Sequence, residues 1–140
     1  MKSTGHPSNK TVTGARALVD GLLRESIDHV FGIPGTQNLA ILDALRDTPQ
    51  IRFILTRHEQ GAAFMAYGFA RAAGKPSVVT VTEGPGITNM VTAIAAAHKG
   101  NVPVISICGV QESSMRERDA TQDMDQIPFM RPITKWAYSI

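Results

Sequence analysis

Strand-like and helix-like segments alternate at least four times along the chain, and this alternation restricts the possible folds more than any other feature. Short runs rich in apolar and β-branched residues predict strands at residues 29–33, 51–56, 77–82 and 103–108, and a fifth at 133–138. Apolar periodicity and capping residues predict helices at residues 14–26, 36–46, 59–73 and 87–98. The sequence therefore predicts an α/β fold, a doubly wound parallel sheet with helices on both faces.

The length of 140 residues is that of one ordinary domain. Residues 1–10 are polar and contain Gly and Pro, without the apolar core of a signal peptide, so we expect a disordered lead-in followed by a domain at residues 11–140. A βα series that ends on a strand leaves one sheet face short of a covering helix. We therefore expect a chain truncated before its last helix, or one covered by a partner.

Charge and composition exclude several classes of function. The formal net charge is +2 and the positive residues are scattered, which argues against nucleic acid or an anionic membrane as a partner. No stretch approaches the roughly 18 apolar residues of a membrane span, so we expect a cytoplasmic protein. The lone Cys108 gives no disulfide framework, and the four histidines have no metal-ligand spacing, so no metal site is predicted.

Three turns follow predicted strands and should lie along one edge of the parallel sheet, where open α/β sheets bind ligands. They contain Pro34-Gly35, Arg57-His58-Glu59 and Gly84-Pro85-Gly86. Each alone is also consistent with an ordinary strand-to-helix turn, and Glu59 alone with a favourable charge in the first turn of a helix. Together the three turns outline a cleft.

A dinucleotide site is an alternative interpretation of the third turn. The spacing of Gly84, Gly86 and Asn89 half matches the glycine fingerprint of nucleotide-binding βαβ units. The third glycine is missing, and the fourth strand ends in Cys108-Gly109 without the acidic residue that would bind a ribose. A Rossmann-like nucleotide-binding module is therefore the less favoured reading.

The third and fourth helices are rich in alanine and glycine. Small side chains let another helix approach closely. This pattern is equally consistent with tight packing inside the domain and with a subunit interface.

Taken together, four segments resemble the N-terminal, pyrimidine-binding domain of thiamine-diphosphate enzymes, in the branch of acetolactate synthase and other 2-oxoacid enzymes. The resemblance covers the chain from about Thr11 to its end. The segments are Val30-Phe31-Gly32-Ile33-Pro34-Gly35, Arg57-His58-Glu59-Gln60-Gly61-Ala62-Ala63, Gly84-Pro85-Gly86-Ile87-Thr88-Asn89 and Arg131-Pro132-Ile133-Thr134-Lys135.

The resemblance implies a role for each matching residue. Glu59 would hydrogen-bond N1′ of the cofactor's aminopyrimidine and so favour the tautomer that removes the thiazolium C2 proton. Gln122 corresponds to a glutamine placed near the reacting carbon. The residues expected to line the pyrimidine pocket are Pro34, Gly35, Thr82, Pro85 and Asn89.

Two positions depart from the acetolactate synthase pattern, and one stretch is missing. Thr121 replaces the usual aromatic residue before Gln122, and Glu83 replaces the usual serine before Gly84. These departures leave other 2-oxoacid or acyl-CoA decarboxylations open. The Gly-Asp-Gly…Asn stretch that anchors the diphosphate and Mg²⁺ in the family is absent.

The resemblance therefore implies a chain that is inactive alone. A diphosphate-binding domain, in the same or another chain, would complete a decarboxylase or carboligase acting on a small 2-oxoacid or acyl substrate. The assembly would be a homodimer or homotetramer, or this chain would be the small subunit of a two-subunit decarboxylase. Use of FAD is left open.

Overall fold

Four parallel strands form one sheet at the centre of the computed structural model, which describes residues 11–115, 118 and 120–140. The expected lead-in at residues 1–10 lies outside the described residues. The strands are β1 (His29–Gly32), β2 (Arg52–Leu55), β3 (Ser77–Val81) and β4 (Val104–Cys108), in the order β2-β1-β3-β4. The predicted α/β class with a parallel sheet is confirmed.

The strand order places a switch point between β1 and β3. From β1 the chain moves outward to β2, then crosses back to pair β3 with the other side of β1. The register sets Phe31 beside Ile54 of β2 and beside Val79 of β3, and Gly32 beside Thr80. In open α/β sheets such a switch point opens a crevice at the carboxyl ends of the strands.

Five α-helices accompany the sheet within residues 11–115, 118 and 120–140. They are α1 (Gly14–Arg24), α2 (Leu39–Arg46), α3 (Glu59–Ala73), α4 (Pro85–Lys99) and α5 (Gln126–Met130), with short 3-10 helices at Thr36–Asn38 and Arg131–Ile133. Helix α3 has the predicted bounds, because Gly74 ends it in the left-handed conformation with φ of 66°. Within the part of the chain that is described, no helix is long and apolar enough to cross a membrane.

Side chains of β3 pack alternately into two hydrophobic cores, one on each face of the sheet, because neighbouring residues of a strand point to opposite faces. Val78 packs with Val19 and Leu22 of α1 and Leu45 of α2. On the other face Val79 and Val81 pack with Phe31 of β1 and with residues of α3 and α4, namely Ala62, Ala63, Ala66, Ile87, Met90, Ala93 and Ile94. Helices thus cover both faces, as the alternation predicts.

The small side chains of α3 and α4 are used for packing within the domain. Ala62, Ala66 and Ala93 are completely buried where these two helices and the sheet meet. Phe64 and Met65, on the outer side of α3, are 41% and 45% exposed. A subunit interface on this outer side stays a prediction.

The predicted fifth strand at residues 133–138 is wrong. Arg131–Ile133 forms a 3-10 helix, and no helix or strand follows it. Pro132 has no N–H for a ladder, and the Thr134 hydroxyl donates to the Met130 carbonyl oxygen at 2.9 Å, a helix-like local bond. Ile133 and Ala137 pack against the core with a spacing of four residues, whereas a strand would use two.

Candidate functional site at the carboxyl ends of β1 and β3

The turns after β1 and β3 meet so closely that glycine is required. A Cβ added at Gly35 would lie 2.5 Å from Cβ of Thr82, and one added at Gly32 would lie 2.2 Å from the Thr80 carbonyl oxygen. Real Cβ atoms do not approach other atoms at such distances. The two turns therefore pack directly against each other at the carboxyl-end edge of the sheet, where the crevice of a switch point lies.

A buried asparagine fixes the turn after β1. The Asn38 side chain is fully buried; its Oδ1 accepts from the Gly35 N–H at 2.8 Å, and its Nδ2 donates to the Ile33 carbonyl oxygen at 3.0 Å. Both ends of the turn are thus held by one amide. Pro34 lies in this turn and is exposed.

Glu59 is the first residue of α3, and a residue of α4 holds its carboxylate. His58 caps the helix, its Nδ1 accepting from the Gln60 N–H at 3.2 Å. The Asn89 Nδ2 donates to Glu59 Oε2 at 3.0 Å. This bond joins the turn after β2 to the helix that follows β3. Glu59 is half-buried, so its carboxylate can still reach a ligand.

Glu83 is a second carboxyl group at this edge, and its side chain is completely buried. Its Oε1 accepts from Gln37 Nε2 at 2.8 Å and from Gln111 Nε2, while its Oε2 has no hydrogen-bond partner among the described residues. Burial raises the pKa of this carboxyl, and the nearby Asp123 carboxylate raises it further; the bond from Gln111 opposes them and is the weaker effect.

The segment after β4 folds over the Gly84 turn. Gly84 has φ of 57°, and a Cβ there would lie 2.5 Å from the Gln122 carbonyl oxygen. Gln111 Nε2 donates to the Thr121 carbonyl oxygen at 3.3 Å, and Gln126 Nε2 donates to the Gly109 carbonyl oxygen at 2.9 Å. Among the described residues of this segment, Gly109, Gln111, Thr121, Gln122 and Gln126 therefore close one side of the crevice.

The structure brings the sequence-predicted residues together in pairs. Gly35 contacts Thr82, and Asn89 binds Glu59. Gln122 contacts Gly84 through its backbone and Cβ, while Gln122 as a whole is exposed. Pro85 is the first residue of α4 and is also exposed. Pro34 and Pro85 thus stand at the rim of the crevice.

Sequence reasoning missed the carboxamides that organise this edge. Gln37 donates to Glu83 and its Oε1 accepts from the Thr82 hydroxyl, so it links the turns after β1 and β3. The residue in the sequence that could have indicated such a carboxamide is Glu83. An acidic residue directly after a buried apolar strand must find donors if it is buried too.

Two other chemistries find no support at this edge. Among the described residues, no group of three or more His, Cys, Asp or Glu is placed to hold a metal ion. Cys108 ends β4, and burial raises the pKa of its thiol to about 12. A thiol with that pKa carries almost no thiolate at neutral pH and is a poor nucleophile.

Comparison with known proteins agrees with the geometry. Residues 12–129 match the family model described as thiamine pyrophosphate enzyme, N-terminal TPP binding domain. The chain is 47% identical to acetolactate synthase isozyme 1 large subunit of Escherichia coli K12, with 100% of the chain and 25% of that protein aligned. It is 42% identical to the mitochondrial acetolactate synthase catalytic subunit of Saccharomyces cerevisiae, with 89% of the chain and 18% of that protein aligned.

A plant relative gives the same result. The chain is 44% identical to probable acetolactate synthase 2, chloroplastic, of Oryza sativa, over 91% of the chain and 19% of that protein. The chain thus spans a quarter or less of the length of these relatives. Because the family model matches residues 12–129, most of the chain, this chain belongs to the thiamine pyrophosphate enzymes and contains their N-terminal TPP-binding domain.

Proposed function

We propose that this domain holds the aminopyrimidine ring of thiamine diphosphate and that Glu59 hydrogen-bonds the ring nitrogen N1′. The observation that carries the proposal is the position of the Glu59 carboxylate. It stands at the start of α3, beside the crevice of a switch-point sheet, and the Asn89 amide holds one of its oxygens at 3.0 Å. Ligands of open α/β sheets bind at this edge.

The donor set of Glu59 fits a proton-exchanging role. The Asn89 amide fixes the orientation of the Glu59 carboxylate, so that it can point at a ring nitrogen. The glycines at positions 35 and 84 keep side chains out of the narrow part of the crevice.

The cofactor, when bound, supplies a thiazolium C2–H whose deprotonation gives the reactive carbanion. The chain's own contribution would be the acid–base work at the other ring. Glu59 would hold a proton at N1′, and Asn89 would keep the Glu59 carboxylate in the orientation that this bond needs. Thr82, Pro34 and Pro85 would line the walls around the ring.

We further propose that the complete protein is an acetolactate synthase-like carboligase or decarboxylase acting on 2-oxoacids. The support is the identity of 40–47% to proteins that bear the acetolactate synthase name. The diphosphate and Mg²⁺ would be held by another domain, in the same or a second chain, so this part alone would be inactive. The exposed Phe64 and Met65 on α3 suit an assembly of several copies.

The test of the Glu59 role is hydrogen–deuterium exchange at C2 of bound thiamine diphosphate, followed by NMR in the complete protein. We expect Glu59→Gln to slow this exchange by about 10²- to 10⁴-fold, the usual contribution of a positioned acid–base group. The matched control is Glu25→Gln, an exposed glutamate at the end of α1, which should exchange at the wild-type rate.

Fluorescence titration with thiamine diphosphate should accompany the exchange measurement and show that both variants still bind the cofactor. If Glu59→Gln binds thiamine diphosphate and exchanges the C2 proton as fast as the wild type, the assignment of Glu59 is refuted.

A further inference from the structure

Glu83 is joined to two segments that are distant in the chain. Its Oε1 accepts from Gln37, which follows β1, and from Gln111, which follows β4, while its buried Oε2 has no partner in the part of the chain that the structure describes. These donors are separated from Glu83 by 46 and 28 residues. One carboxyl group therefore connects the turns after β1 and β3 with the segment after β4.

The surroundings of Glu83 favour a neutral carboxylic acid. The segment after β1 presents the uncharged Gln37, and the segment after β4 presents the uncharged Gln111 and the Asp123 carboxylate. A completely buried carboxylate beside another carboxylate is costly, and the group avoids this cost by keeping its proton. The raised pKa of Glu83 agrees with this view.

The same segments make the close contacts of the crevice. Gln37 also accepts from Thr82, and Gln111 also donates to the Thr121 carbonyl oxygen, next to the Gln122 backbone that covers Gly84. Removal of Glu83 would take an acceptor from both carboxamides at once. The position of residues 121–122 over the crevice depends on them.

We propose that Glu83 is a positioning residue whose neutral carboxyl fastens Gln111, and through it the backbone at residues 121–122, to the turns after β1 and β3. It touches neither cofactor nor substrate in this role; it shapes the side of the crevice that the segment after β4 forms. The hydrogen bonds of Glu83 support the fastening directly. Only the conclusion that the fastening helps cofactor binding rests on the proposed function.

The proposal makes the fastening sensitive to pH. Ionisation would put a second negative charge in a buried place near Asp123, so the segment should loosen as the pH rises above 4.5, the ordinary pKa of a glutamate, toward the raised pKa of Glu83. A glutamine at this position keeps an acceptor oxygen and cannot ionise. An alanine removes the acceptor and leaves both carboxamides unsatisfied.

The experiment is amide hydrogen exchange by mass spectrometry on the complete protein, from about pH 4, below the ordinary pKa of a glutamate, to about pH 10, corrected for intrinsic rates. The informative peptides cover residues 110–125, and peptides of α1 serve as an internal reference. The variants are Glu83→Gln and Glu83→Ala, with Glu112→Gln as matched control, because Glu112 is an exposed acid of the same segment.

We expect the protection of residues 110–125 in the wild type and in Glu112→Gln to fall about tenfold or more as the pH rises, the effect of losing one or two buried hydrogen bonds. Glu83→Gln should keep its protection over the whole range. Glu83→Ala should lack it at every pH; if that variant does not fold, the comparison of wild type with Glu83→Gln decides.

The proposal is overturned if the wild type and Glu83→Gln lose protection together, or if neither loses it. It is equally overturned if Glu83→Ala is as protected as the wild type at about pH 4, the lower end of the range. The outcome is separable from that for Glu59, because amide exchange needs no cofactor. A Glu59→Gln variant with undiminished C2 exchange would remove the proposed function and leave these protection factors unchanged.

Discussion

Replacement of Gly84 by alanine tests the contact that closes the crevice. Gly84 has φ of 57° and ψ of −113°, a conformation that a residue with a side chain adopts at a cost of about 1–3 kcal/mol. The new Cβ would also lie 2.5 Å from the Gln122 carbonyl oxygen, and relieving such an overlap with backbone costs typically about 1–3 kcal/mol. Alanine also lowers the conformational entropy of the unfolded chain, which stabilises the folded state by about 0.4–1 kcal/mol. The expected net loss is about 1–5 kcal/mol.

Gly74 provides the matched control. It also has a positive φ, 66°, but no atom lies within 4 Å of a Cβ added there. Gly74→Ala should therefore cost only the backbone strain of about 1–2 kcal/mol, less the same entropic gain. The difference between the two variants in lost free energy of unfolding measures the overlap between the new Cβ at residue 84 and Gln122.

The assay is native-state hydrogen exchange of β3 in the complete protein, since the most protected amides of a domain report its free energy of unfolding. Exchange of residues 110–125 should rise at the same time in Gly84→Ala and stay unchanged in Gly74→Ala. If the two variants lose the same free energy of unfolding, the claim that the segment after β4 packs on Gly84 is refuted.

Two further predictions concern the remainder of the domain. Met90→Ala should lower the free energy of unfolding by about 2–5 kcal/mol, because Met90 is completely buried between α4 and the sheet. Met90→Leu nearly keeps the volume and should lower it by less than about 1.5 kcal/mol. Urea unfolding of the two variants measures both changes, and equal losses of unfolding free energy would contradict the prediction. Hydrogen bonds from Lys75 and His29 lower the pKa of Asp28 from 3.8 to about 2, so the stability that Asp28 contributes is present above about pH 4 and is lost as the pH falls through about 2. Lys75→Met should flatten this acid dependence, by less than about 1 kcal/mol because both side chains are partly exposed; acid unfolding curves that coincide with the wild type would contradict it.

Local chemistry explains why most of the fold could be predicted from the sequence. Gly74 stops α3 where a left-handed residue is needed, and Pro85 begins α4 at its first position, two residues before the predicted start. Helix α1 ends at Arg24 and not at residue 26, because Ser26 takes a φ of 59°. The strands fall within one residue of their predicted ends.

Prediction failed once for a local reason and once because of distant contacts. Residues 133–138 have the composition of a strand, but Pro132 and the local bond from Thr134 to Met130 give a 3-10 helix at Arg131–Ile133. The edge of the crevice could be foreseen from three turns that follow strands. The pairing of Glu83 with Gln37 and Gln111 could not, because side-chain bonds across 46 and 28 residues leave no periodic signal in the sequence.

The bonds described for Glu59 and Glu83 come from the carboxamides of Asn89, Gln37 and Gln111, and none of these donors carries a charge. Dissolved ions screen attraction between opposite charges and hardly affect bonds between an amide and an acid. The crevice should therefore keep its shape in concentrated salt, while surface pairs such as Arg46 with Asp43 weaken. If a cofactor with a negatively charged diphosphate binds less tightly at high ionic strength, the loss would arise at the diphosphate and not at these two acids.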